Sequence, residues 1–203
     1  MVRAEPRATL RNRAMALAYG GRSKEALESL DLLKNPSIII KMPWWIDYVR
    51  GTVYRLAQQP QAAIDALVRA NSEIPKNPRE PWDRVRVLLE LGQAQLDVKQ
   101  LDAADGTLAT AEHLFEELKV EMHPAYAEVI LARARIDLAH NAPARSLPRL
   151  EGVDAYWQKY DPDSRGGGEP ARWLAKTYQL LGRETEAAAA SVRAKRLLSL
   201  QWQ

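Results

Sequence analysis

The chain of 203 residues contains no cysteine. Disulfides, thiolate metal sites, CxxC redox chemistry and cysteine nucleophiles are therefore excluded. Histidine is scarce: His113, His123 and His140 stand far apart, which argues against a zinc site. No run of about 18 apolar residues exists, so no membrane span is predicted. Strand signals are nearly absent, because the β-branched run Ile38-Ile39-Ile40 is closed at once by Lys41-Met42-Pro43 and is too short to found a sheet. Catalytic and nucleotide motifs are missing too: there is no HExxH, GxSxG, GxGxxG or P-loop. No apolar stretch follows the basic start, which speaks against a signal peptide. Glu5 and Pro6 speak against an organelle leader, so a cytoplasmic protein is expected.

Hydrophobic residues make up 46% and charged residues 27%, the composition of a chain that folds and stays soluble. Lys and Arg number 29 against 26 Asp and Glu, a net charge of +3. The basic residues are spread along the chain and interleaved with acids (Glu25, Glu28, Asp31; Asp97, Asp102, Asp105), so nucleic acid is a poor candidate partner and a solvated helical surface is expected. The carboxylate pairs Glu116-Glu117 and Asp161/Asp163 sit among charges, without the burial that would split their pKa values for acid–base work. His123 precedes Pro124 at a helix start, where a capping or turn role is expected rather than catalysis. No catalytic residue, metal or cofactor is assigned.

Elsewhere the apolar period is helical, and proline, glycine and asparagine cut the chain into about ten segments. A spacing repeats along it. A small residue is followed twelve positions later by another, then four and three positions later by apolar or small ones. The copies are Ala14, Ala26, Leu30, Leu33; Gly51, Ala63, Leu67, Ala70; Gly92, Ala104, Leu108, Ala111; Ala134, Ser146, Leu150, Val153; and Ala175, Ala187, Ser191, Ala194. Successive copies start 37, 41, 42 and 41 residues apart. Two helices joined by a short turn pack closely only where both lack bulk at the crossing, so this spacing predicts helical hairpins. Turn residues fall seven positions after the first small residue, at Gly21, Gln58, Lys99, Asn141 and Gly182. Each hairpin leaves one apolar face uncovered and must stack on its neighbours. An all-α fold is predicted, with about five hairpins in a right-handed superhelix. It forms one domain over 1–203, with repeats near 7–40, 44–77, 85–118, 127–160 and 168–201.

These residues resemble the tetratricopeptide repeat (TPR) family. The second copy carries the pattern most fully (Gly51, Tyr54, Ala63, Leu67, Ala70, Pro75), with Leu91-Gly92, Ala104, Leu108 and Ala111 in the third and Leu174-Ala175, Tyr178, Gly182 and Ala187 in the fifth. His123-Pro124-Ala125-Tyr126 is similar to the opening of the long repeats of kinesin light chains and of bacterial regulators. The resemblance implies a non-enzymatic scaffold or adaptor whose first helices line a concave groove for a protein or peptide. The groove positions would hold Arg11, Trp45, Tyr48, Arg55, Arg86, Gln93, Arg135, Arg172 and Lys176. Arginine holds carboxylates in a fork and aromatics anchor interfaces, so an acidic segment suits this lining; simple solvation by arginine is the other reading. Two further roles stay open, a peptide- or ligand-sensing segment of a regulatory system and a self-assembling scaffold, and a homo-oligomer is compatible with either.

Asp47 is unusual at a packing position. Trp44-Trp45 reads either as a partner patch or as packing, with Ile38–Ile40 as a linker over the first groove. Trp157 and Trp173 are expected in the core, Trp202 exposed, and Asp161–Glu169 (DPDSRGGGE) a flexible linker.

Overall fold

The computed structural model describes residues 7–32, 43–75, 82–119 and 123–200. Among them are ten α-helices and no strand: α1 Arg7–Tyr19, α2 Ser23–Asp31, α3 Pro43–Leu56, α4 Pro60–Glu73, α5 Trp82–Asp97, α6 Leu101–Glu117, α7 Pro124–Ala139, α8 Pro143–Tyr160, α9 Gly168–Leu180 and α10 Glu184–Leu198. The chain divides into two compact units, Met1–Thr107 and Leu108–Gln203, with the division inside α6. In the first unit α1 packs on α2 and α3 on α4, while α1, α3 and α5 lie side by side. In the second, α7 packs on α8 and α9 on α10, and α7 touches α9.

The helix boundaries follow from local chemistry. Pro60, Pro124 and Pro143 stand in the first turns of α4, α7 and α8, where a missing N–H is harmless. The imidazole Nδ1 of His123 accepts the N–H of Ala125 at 3.1 Å and caps α7. All five predicted turn residues adopt left-handed φ: Gly21 (75°), Gln58 (59°), Lys99 (62°), Asn141 (56°) and Gly182 (72°). Each ends its helix in the same double hydrogen bond. The Arg22 N–H donates to Leu17 O and the Gly21 N–H to Ala18 O, and the pattern recurs at Gln59/Gln58, Gln100/Lys99, Ala142/Asn141 and Arg183/Gly182. The next helix then starts alike in every hairpin, with the backbone N–H of Ala26, Ala63, Ala104, Ser146 and Ala187 each bonded to the carbonyl four residues back.

The small-residue positions are the crossings. A Cβ added to Gly51 would lie 2.3 Å from Leu67 Cγ, so that helix pair closes only over glycine. In the fourth hairpin the Ser146 hydroxyl donates to the Ala134 carbonyl at 2.9 Å. Every described residue of the repeated spacing is buried except Ser191, which is half-buried. Leu33 lies outside the described residues. Around these crossings the first unit gathers Ala14, Ala26, Leu30, Val49 and Val53, and separately Ala63, Leu67, Leu91 and Ala94. The second unit gathers Ala134, Leu150, Leu174, Tyr178 and Ala187.

Two oddities of the sequence find structural reasons. Asp47 on α3 accepts from Arg69 of α4 at 3.3 and 3.4 Å, with Arg50 at 3.5 Å, so it ties the hairpin from its surface. Trp44 is buried with Ala70, Ile74 and Val87, which settles the Trp44-Trp45 segment as packing on that side; Ile38–Ile40 and Trp202 lie outside the described residues. The segment Asp161–Glu169 differs from the flexible linker expected. Ser164 caps a 3₁₀ turn over Arg165–Gly167, and Arg165 donates to the carbonyls of Leu198 and Leu200 at 2.9 and 3.0 Å. A Cβ on Gly166 would lie 2.6 Å from the Trp157 ring, and one on Gly168 would lie 2.7 Å from Leu198. Here glycine provides close approach of packed surfaces rather than freedom.

Candidate partner-binding surface

The nine residues named from the sequence fall on the first helices of their hairpins, in two chemically different settings. In the first unit Arg11 lies on α1, with its side chain outside the described residues. Trp45 and Tyr48 on α3 are half-buried and pack on the cores around Val49 and Trp44. Burial pushes the Tyr48 phenol well above its usual range, helped by Glu90 and Tyr19 and opposed by Arg86 and a hydrogen bond with Thr52. Arg55 donates its Nε–H to Glu90 of α5 at 2.8 Å, with only 18% and 10% of the two side chains exposed. Burial works against the Arg55 charge, but attraction and hydrogen bonding from Glu90 outweigh it and raise its pKa. Arg86 is exposed on α5, 3.9 Å from Asp83, and Gln93 is half-buried on the same helix. This set is largely self-neutralised: its most buried cation already holds an anion.

The second unit is different. Arg135 of α7 and Arg172 and Lys176 of α9 converge on one indole. The guanidinium carbons of Arg135 and Arg172 lie 5.4 and 5.6 Å from the Trp173 ring centre, and the Lys176 ammonium 5.1 Å from it. Trp173 packs its other contacts on the core of Ala134, Leu174 and Ala187, so the ring is held by apolar neighbours while cations surround it. Glu169 pairs with Arg172 at 2.6 Å. Each cation gains from the ring quadrupole, by about 0.5–1 kcal/mol at exposed sites. Three like charges drawn to one ring repel one another, and Glu169 relieves part of that repulsion at Arg172.

The sequence predicts Trp173 in the core; in the structure it is half-buried, packed on the core and ringed by cations. The signal is present in part: Arg172 adjoins Trp173 and Lys176 follows one helical turn later. Arg135 comes from the preceding hairpin, and only the packing of α7 on α9 brings it there.

Among the described residues no group of three or more His, Asp or Glu side chains is placed to hold a metal, and no helix is long and apolar enough to cross a membrane. No protein-family model matches the chain, and no curated protein does. Solved structures do resemble it. A kinesin-light-chain-type protein of nearly identical TPR-like repeats from Podosopora anserina aligns over 95% of this chain and 94% of its own at 19% identity and TM-score 0.70. BtubC (BKLC) from P. vanneervenii aligns over 97% and 91% at 17% identity and TM-score 0.68. The Rap conjugation gene regulator of plasmid pLS20, in complex with the Phr* peptide, aligns over 89% of this chain and half of its own at 14% identity and TM-score 0.75. The fold is therefore all-α and TPR-like.

Proposed function

We propose that this chain of TPR-like fold is a non-enzymatic adaptor that recognises an acidic protein or peptide segment, and that Trp173 with Arg135, Arg172 and Lys176 is its anchoring surface. The observation that carries the proposal is the convergence of three cations on one core-anchored indole, with the Glu169 carboxylate paired to Arg172. Tryptophan and arginine are the residue types that concentrate binding energy at interfaces. A carboxylate of the partner gains from Lys176 and from the arginine forks, and the partner's apolar atoms gain from the ring. A peptide as occupant agrees with the similar Rap structure, which holds the Phr* peptide. The Arg55–Glu90 pair joins α3 to α5 within the first unit and is not a source of charge for the partner.

The test is selection from a random displayed peptide library against the full chain. Enriched peptides should be rich in Asp and Glu, and their affinity should fall as salt rises. Arg172→Glu with Lys176→Glu should weaken them at least about tenfold, because two attractions become repulsions. Both side chains are exposed, so the helical circular dichroism should not change. Enrichment of neutral or basic peptides, or equal binding by the reversed variant, would refute the proposal.

A further inference from the structure

We infer that a cleft between α7 and α8 binds a small organic acid with an apolar body, a site separate from the Trp173 surface and independent of the role proposed for it. The cleft is open to solvent and offers about 420 Å³, within the range of small-ligand sites. Its apolar lining comes from Tyr126, Ile130, Pro148, Gly152 and Val153, and its polar end from Asp137, Arg145 and Arg149.

Two residues of its α8 wall are poor choices for a helix. Pro148 stands inside α8, where it removes the backbone donor that the Ala144 carbonyl would otherwise use. Gly152 stands one turn later, on the same face. Packing does not explain this glycine: a Cβ built there meets nothing within 4 Å, whereas at Gly51, Gly166 and Gly168 it collides with neighbours. Both residues weaken the helix at the cleft, and departures from local preference concentrate at functional sites. Together they leave a wall without long side chains.

The polar end has the charge for an acid. Asp137 is 4% exposed and is held by Arg145 Nη2 at 2.8 Å and by Arg149 Nε at 3.2 Å. Arg149 also reaches Glu112 at 3.8 Å, and Arg133 pairs with the same Glu112. Arg145 and Arg149 thus converge on Asp137, and Arg149 and Arg133 on Glu112. Arg145 is the most open of them, 67% exposed, and meets Asp137 through one terminal nitrogen. A ligand carboxylate shares Arg145 with Asp137, and its apolar body lies over Tyr126, Pro148 and Gly152, with Ile130 and Val153 as the buried floor beneath it. A fork that already orients on Asp137 is pre-organised for a second carboxylate.

The probes are 3-phenylpropionate and 4-methylpentanoate, each beside its uncharged amide, titrated into the full chain while the methyl resonances of Ile130 and Val153 are followed by NMR. Acids of this size should saturate at about 1–10 mM, with the amides at least about tenfold weaker. Gly152→Leu should fill the cleft and weaken the acids at least about tenfold, while raising the melting temperature by about 2–4 °C because leucine favours helix more than glycine. Arg145→Gln should remove the preference for acid over amide and leave the fold intact. Lys176→Glu should leave acid binding unchanged, so failure of the peptide surface and failure of this site are told apart. Absence of Ile130 and Val153 shifts, equal binding of acid and amide, or unchanged binding in Gly152→Leu would each overturn the inference.

Discussion

Replacing Arg55 by Met removes the partner of a carboxylate that is 10% exposed. In the native chain Glu90 accepts one charge-assisted hydrogen bond, 2.8 Å long, across the α3–α5 contact. Methionine keeps most of the apolar stem, so the loss is chiefly electrostatic. Leaving a buried charge uncompensated costs about 3–5 kcal/mol. Because both groups keep some exposure, the lower end applies, about 3 kcal/mol. A chain of about 200 residues loses roughly 2–4 °C per kcal/mol, so the melting temperature should fall by about 6–12 °C. Replacing both partners, Arg55→Met with Glu90→Leu, removes the stranded charge and should restore most of the loss. The assay is a double-mutant cycle by urea denaturation, with binding of the selected acidic peptides measured on the same variants. Both Arg55→Met and the double variant should still bind once folded. A loss below about 1 kcal/mol, or a double variant no better than the single, would refute the claim that this pair is a buried structural element.

Three further outcomes are expected. Gln58 and Lys99 hold left-handed φ without being glycine, so Gln58→Gly and Lys99→Gly should each stabilise by up to about 1 kcal/mol, read as a raised urea midpoint. Gly51→Ala should destabilise by about 1–3 kcal/mol, because its new methyl lies 2.3 Å from Leu67, whereas Gly106→Ala on the exposed face of α6 should stabilise by about 0.8–1.0 kcal/mol. Alkali should destabilise the fold. Burial raises the phenols of Tyr48, Tyr126, Tyr156 and Tyr178, so above about pH 10 the unfolded chain has released protons that the folded chain retains. Stability is therefore fully present below about pH 10 and declines as pH rises from there, and Tyr48→Phe should flatten that decline in melting curves.

Much of the hairpin architecture is written in single residues. A small residue at each crossing and a turn residue seven positions later announce the helix pair, because steric exclusion and backbone φ are local properties. Even Gln58 and Lys99, which carry no glycine signal, are marked as turn residues by the repeat spacing. What the sequence conceals depends on which side chains meet across helices. Arg55 reads as a groove cation until Glu90, 35 residues on, takes its charge. Trp173 reads as core because its spacing is apolar, while Arg135 approaches it from another hairpin. The run Gly166-Gly167-Gly168 reads as a flexible linker because composition cannot tell freedom from close packing; Trp157 and Leu198 decide it. Pro148 and Gly152 lie inside the fourth repeat and break no helix there, and the cleft beside them exists only once α7 and α8 have packed.

The cationic indole is tested most directly by labelling the six tryptophans with 5-fluorotryptophan, assigning the Trp173 signal with Trp173→Phe, and titrating an acidic peptide from the selection. The Trp173 fluorine resonance should shift with the peptide, saturate with the binding isotherm and stay still in Arg172→Glu with Lys176→Glu. A Trp173 signal that remains fixed while the peptide binds would contradict the assignment.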